Sequence, residues 1–197
     1  MSERPRRTQA ERTAATRARL IDAAYDCLLE TGYAATTVGA VQERAGVARG
    51  TLLHHFPTRA SLMVGVVEDI ADRRLAVLAS PDAPPTGQGW DAVVDLLWRD
   101  LQSPAFLAAL ELWVAARTDE PLREALVPLQ ERLFAAIHRA VTALVGDDPR
   151  APTLVQFTID LLTGTTMAGM LGPGRARTAV VVERWKDALV TLAGERR

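Results

Sequence analysis

The stretch from Gly32 to Leu62, GYAATTVGAVQERAGVARGTLLHHFPTRASL, constrains this chain more than any other, because it reads as two short helices joined by a tight turn. Val38, Val41 and Ala45 recur at helical spacing and give one apolar face to a helix that opens behind Thr36 and Thr37, residue types suited to an N-cap. Gly46 ends that helix, since glycine takes the left-handed conformation at least cost. Val47 behind it can plug back into a core, so the next helix leaves at a steep angle. The spacing is that of a helix-turn-helix.

In the second helix, Ala48 to Phe56, the bulky pair Leu52 and Phe56 lies four residues apart and must face inward. The outward arc then holds Gly50, Thr51, Leu53 and His54, with Arg49 at the N-terminal end and no acid. Arg49 can offer its planar fork to a guanine edge or a phosphate. Thr51 and His54 can hydrogen-bond either, and Gly50 lets a backbone come close to DNA. Pro57 stops the helix and Thr58 can cap the next one.

The stretch resembles the DNA-binding domain of the TetR family of bacterial transcriptional regulators. The matching residues are Gly32-Tyr33, Thr36-Thr37-Val38, Ala45-Gly46-Val47, Gly50-Thr51-Leu52 and His54-His55-Phe56-Pro57, followed by Leu62. With Arg17 on the preceding helix, the candidate DNA-contacting set is Arg17, Thr36, Thr37, Arg49, Gly50, Thr51, Leu53, His54 and His55. Two residues depart from the family pattern. Leu53 stands where a phosphate-touching tyrosine is usual, and Ala48 stands where serine or threonine usually caps the helix, at a cost of ~1 kcal/mol.

The net charge of −1 conceals an asymmetry: residues 1–60 carry nine Arg against six acids, and residues 61–197 carry fourteen basic residues against eighteen acids. The basic end suits a polyanion and the acidic end is repelled by one. Apolar residues make up 48% of the chain, too many for a disordered protein. No apolar run approaches the ~20 residues of a membrane span, and no signal peptide is recognisable, so the expectation is a soluble cytoplasmic protein. The single cysteine, Cys27, lies among Ala24, Leu28 and Leu29 at helical spacing and reads as packing.

In chain order, residues 1–12 read as a disordered basic arm with Arg4, Arg6, Arg7 and Arg12, able to follow phosphates or serve as a solubilising tail. Helix 1 is expected from about Thr13 to Thr31, closed by Gly32, which places a helix-turn-helix domain at 13–58. Residues 59–197 follow as a C-terminal helical domain. Its first helix, from Arg59 to Leu78, has Leu62, Val66 and Ile70 on one face, and the resemblance makes it the rod between the two functions. The prolines and glycines of Ser80 to Gly89 mark a loop. Ser103-Pro104, Pro121, Gly146 and Gly172-Pro173-Gly174 punctuate further helices, and Pro128 should kink or split one of them. No strand pattern competes, so the fold class is all-α with about nine helices.

The eighth helix is apolar nearly all round. Phe157, Leu161, Gly164 and Ala168 form one stripe, and Val155, Ile159, Leu162 and Thr166 form another. A second subunit is the simplest cover for one of them. Leu161, Gly164 and Ala168, with Val181, Trp185 and Ala188 of the ninth helix, are the expected homodimer contacts, and a two-fold DNA site supplies an independent reason for a dimer.

Trp98, Phe106, Leu110, Trp113, Phe157 and Met167 are the expected walls of an apolar effector pocket, with His138, Gln156 or Thr163 as orienting polar groups; ordinary core is the competing explanation. The resemblance implies a small apolar or amphipathic effector held between these helices. Enzyme chemistry finds poor material. There are three histidines and one cysteine, no HExxH or CxxC spacing, no glycine-rich loop behind a strand and no Gly-x-Ser-x-Gly elbow. No catalytic residue, metal ligand or cofactor is expected. The sequence thus points to a homodimeric DNA-binding regulator, most simply a ligand-released repressor acting at a pseudo-palindromic double-stranded operator. The alternative is a ligand-binding or scaffold protein with a degenerate helix-turn-helix.

Overall fold

The computed structural model describes residues 8–79, 89–170 and 175–194, without the side chains of 175–177. The expected loop over 80–88, the Gly172-Pro173-Gly174 break and arm residues Arg4, Arg6 and Arg7 lie outside the described residues. Those described form nine α-helices and no strand: α1 Gln9–Ala35, α2 Val38–Ala45, α3 Arg49–His55, α4 Arg59–Leu78, α5 Gly89–Leu101, α6 Pro104–Ala115, α7 Glu120–Val145, α8 Ala151–Met170 and α9 Arg175–Leu192. Among them no helix is long and apolar enough to cross a membrane.

Helix α1 begins earlier than its apolar periodicity suggests. Thr8 Oγ1 accepts the Glu11 N–H at 3.2 Å while Glu11 Oε2 accepts the Thr8 N–H at 2.7 Å, a reciprocal capping box. Residues 9–12, expected in the arm, are therefore the first turn of α1. At its other end Gly32 takes φ 78° and ψ 174°, a region open essentially to glycine alone, and one more turn follows to Ala35. The helix proper thus stops where the sequence places its end.

The chain divides into two compact units, one of residues up to Ile70 with Ala108–Leu129, the other of Ala71–Leu107 with Gln130 onward. The linear boundary expected at residue 58 is therefore not where the contacts divide. In the first unit Leu20, Leu28, Val41, Leu52, Phe56, Leu62 and Val66 share a core with Ala108, Ala109 and Leu112 of α6, Ala116 just after it and Leu122 of α7. Each large side chain so buried contributes about 1.5–3 kcal/mol. Residues distant in sequence thus complete the core beneath α1, α2 and α3.

In the second unit α5, α8 and α9 pack on one another, with Trp90, Leu96, Leu97, Leu162 and Leu189 fully enclosed. Arg74 and Asp100 are buried there as an ion pair, Nε to Oδ1 at 3.1 Å and Nη2 to Oδ2 at 2.6 Å, and the guanidinium lies 5.2 Å from the Phe106 ring centre. Helix α7 runs through Pro128 without splitting. Pro128 and Glu124 both lie on the exposed side, where water can serve the carbonyl that proline leaves unpaired.

Candidate nucleic-acid interface

The two helices of the motif are held by local chemistry. Thr37 Oγ1 accepts the Ala40 N–H at 3.2 Å and opens α2, and Gly46 closes it at φ 61°, ψ 40°. Its N–H bonds the Glu43 carbonyl, and Val47 N–H reaches the Gln42 carbonyl at 3.4 Å. Helix α3 then starts at Ala48 with no side-chain cap, as its alanine dictates. Leu52 and Phe56 are buried beneath it, so the opposite arc is forced outward. Arg44 fastens α2 to α1 through a forked pair with Glu30, with Nη1 to Oε1 at 2.8 Å, and lies 3.7 Å from Asp26.

Arg49, Gly50, Thr51, Leu53 and His54 are all exposed on α3, Leu53 at 37%, and no acid among the described residues pairs with Arg49. Thr37 is exposed as well. Arg17 of α1 comes to the far end of α3: its guanidinium lies 5.2 Å over the Phe56 ring and 3.7 Å from the Glu68 carboxylate, with about half its side chain open. His55 is half-buried and meets His54 edge-on at 5.5 Å. Burial, and after it the charges of His54 and Arg17, push the His55 imidazole below its ordinary pKa.

Thr36 does not belong to this surface. It is fully buried, and its hydroxyl donates to the Gly32 carbonyl at 2.8 Å, so it finishes α1 rather than meeting DNA. Arg59, conversely, is a residue that sequence reasoning misses. Its Nε donates to the Thr36 carbonyl at 3.1 Å and its Nη2 to the Tyr33 carbonyl at 2.7 Å. A cation in the first turn of a helix opposes the helix dipole, and that is the available signal that Arg59 serves a partner outside α4.

An alanine at Gly50 would meet no atom within 4 Å. Gly50→Ala should therefore stabilise α3 by up to about 1 kcal/mol through helix propensity. It should nevertheless weaken DNA binding, because the added methyl stands on the face that approaches the duplex. Thermal unfolding and a DNA titration on the same variant separate these effects, and unchanged affinity would remove Gly50 from the contact surface.

Of the residues expected to wall an effector pocket, Phe157 and Met167 are 53% and 45% exposed, and His138 is exposed too. Phe106 is fully buried beneath Arg74, while Trp98, Leu110 and Trp113 are half-buried. The inner arc of α8 is Leu154, Thr158, Leu162 and Thr166. Its threonines are satisfied, Thr158 by the Leu154 carbonyl at 2.7 Å and Trp185 Nε1 at 3.0 Å, Thr166 by Gln102 Nε2 at 3.0 Å. Leu161, Gly164 and Ala168 lie on the outer arc; in α9 Ala188 is exposed and Val181 and Trp185 are half-buried.

Comparison with known proteins agrees with this geometry. The sequence profile described as "Bacterial regulatory proteins, tetR family" matches residues 20–66, and that described as "Tetracyclin repressor-like, C-terminal domain" matches 84–192. An uncharacterized HTH-type transcriptional regulator of Mycobacterium tuberculosis is 37% identical over 143 residues, covering 71% of this chain and 73% of its own. The HTH-type transcriptional regulator CymR of Pseudomonas putida is 38% identical over 133 residues, 64% of each chain. Among solved structures, a transcriptional regulator from Rhodococcus superposes with a TM-score of 0.70 at 19% identity, over 89% of this chain and 96% of its own. The multidrug binding protein EbrR, complexed with imidazole, gives 0.63 at 24%, over 89% and 93%.

Proposed function

Because the chain belongs to the TetR family of bacterial transcriptional regulators, and so is a helix-turn-helix DNA-binding regulator, we propose that it works as a homodimeric repressor released from its operator by a small molecule. The observation that carries the DNA half of this reading is the acid-free exposed arc of α3, Arg49, Gly50, Thr51 and His54, backed by Arg17 and Thr37. In this assignment residues 13–58 read DNA and residues 59–197 bind effector and partner.

The dimer half rests on α8 and α9. Phe157, Leu161 and Met167 stand exposed beside Gly164 and Ala168 on one helix, and Val180 and Leu192 stand exposed on the other. Apolar side chains gathered on one face favour a protein partner. A second copy of the chain covers them and sets two recognition helices about 34–36 Å apart, in successive major grooves of a two-fold site. The small glycine and alanine side chains let the paired helices approach closely.

The structures of EbrR with imidazole, proflavin and ethidium favour a small organic effector here. Release requires that the effector prefer the conformation that fits DNA badly. A coupling of about 1–3 kcal/mol, expressed as a tilt of α4, suffices to clear the operator.

Selection of bound sequences from random duplex DNA by the purified protein tests the whole reading. An inverted repeat with steep salt dependence is the expected result, and enrichment of nothing by folded protein would defeat it. Leu161→Glu charges the outer face of α8 and should give a monomer on sedimentation that no longer selects an inverted repeat. A dimer as tight as the unmodified protein would place the interface elsewhere.

A further inference from the structure

Tyr33, Arg59 and Asp119 form one connected polar group in the unit that carries the helix-turn-helix, and the motif itself gives them no chemical role. Arg59 opens α4 and donates to the carbonyls of Tyr33 and Thr36 at the end of α1, the first of which also accepts the Thr36 N–H at 3.2 Å. Its guanidinium also lies 4.1 Å over the Tyr33 ring. Thr36 directly precedes Thr37, the cap of α2, so the clamp holds the point from which the motif departs.

The Tyr33 hydroxyl donates to Asp119 Oδ2 at 2.6 Å, across 86 residues of sequence, and Asp119 Oδ1 accepts the Leu122 N–H at 3.1 Å. Asp119 is thus also the cap at the start of α7. The Tyr33 bond first, and the Leu122 N–H after it, hold the Asp119 carboxyl below the ordinary carboxylate range, so at neutral pH the acceptor is charged and the bond is of the stronger kind. Burial and that carboxylate keep the Tyr33 phenol protonated.

Helices α2 and α3 have only eight and seven residues, too short to be stable or oriented by themselves. What anchors the α1–α2 junction therefore sets where α3 points. Beside the group opens a cleft of about 250 Å³ lined by Tyr33, Arg59, Met63, Val64, Asp119 and Leu122.

We propose that Tyr33, Arg59 and Asp119 are positioning residues for DNA recognition, which hold the α1–α2 junction, and through it α3, in register with the start of α7. The inference rests on the DNA-binding function and adds to it the residues that keep the reading helix in its competent place. Three links in series carry it: α7 to Asp119, Asp119 to Tyr33, and Tyr33 with Thr36 to Arg59 at the head of α4.

The test uses the full chain and the operator recovered by selection. Tyr33→Phe removes only the hydroxyl. Asp119→Ser cannot reach Tyr33 but still caps α7. Each should lower operator affinity by about threefold to tenfold, with the double variant no weaker than the weaker single, because the two residues act as one link. Affinity for unrelated duplex should stay within about twofold, since the phosphate-facing charges are untouched. Asp119→Asn keeps the Leu122 bond through its amide oxygen and can join Tyr33 only with the direction reversed, its amide N–H donating to the phenol oxygen, so it should retain more of the affinity than Asp119→Ser. Circular dichroism and thermal unfolding verify that each variant is folded at the assay temperature.

Unchanged or increased operator affinity in both single variants would overturn the assignment. So would additive losses in the double variant, or equal losses on both DNAs. If the folded unmodified protein selects no sequence, the DNA-binding function itself fails and takes the positioning role with it.

Discussion

Asp100→Ala should destabilise the protein by about 3–5 kcal/mol, a large share of the total stability of an ordinary domain. Asp100 and Arg74 are 1% and 5% exposed and joined by two hydrogen bonds. Removing the carboxylate leaves a guanidinium that cannot lose its proton inside a core, without the anion that its Nε and Nη2 bond. The cost is that of a buried charge deprived of its carboxylate more than of a lost attraction. Replacing both partners with apolar residues, Arg74→Met with Asp100→Leu, should therefore recover most of the loss. Urea denaturation followed by tryptophan fluorescence and circular dichroism measures both variants. A loss below ~1 kcal/mol for Asp100→Ala would mean that water or another group reaches Arg74. Because the pair ties the last turns of α4 to α5, the double variant also asks whether the pair is needed for effector response as well as for stability.

Arg49→Ala should cost about 1–3 kcal/mol of operator binding, roughly 5-fold to 150-fold in affinity, and relax sequence preference at one position of each half-site. Arg49 is exposed at the N-terminal end of α3, and no described acid competes for its guanidinium, so its fork is available to a guanine edge. The alternative contact, to phosphate, has a different signature: binding weakens evenly across sequences, and the salt dependence falls by about one phosphate's worth. Anisotropy titrations of the operator and of point-substituted sites at several salt concentrations separate the two. Unchanged affinity would take Arg49 off the interface altogether.

Helix ends are legible in the sequence because capping is local. Gly46, Pro57, Ser103-Pro104 and Gly146 each act within one turn, and the helices end or begin beside them. The outward arc of α3 is legible for a related reason: once Leu52 and Phe56 must face inward, 100° per residue places Gly50, Thr51, Leu53 and His54 outside, while Arg49 is exposed because it stands at the N-terminal end. The Thr8–Glu11 capping box is equally local, yet apolar periodicity does not reveal it because the periodicity starts later. Thr36 is misassigned from sequence because its neighbour Thr37 does the capping, and two adjacent threonines on a chain reversal cannot be told apart without the reversal itself.

What the sequence determined by itself is the all-helical order, the helix-turn-helix with its exposed basic arc, and the presence of an apolar excess on α8. Those follow from short-range sterics and periodicity. The tertiary structure alone decided which arc of α8 is inside. Thr158 and Thr166 go inward because Trp185 and Gln102 satisfy them, and Phe157 and Met167 go outward. It alone paired Arg74 with Asp100 and Tyr33 with Asp119, and drew α6 and the start of α7 into the core beneath the reading helices. Such contacts depend on which distant side chains reach one another once the chain has closed on itself. No spacing along a single helix encodes that.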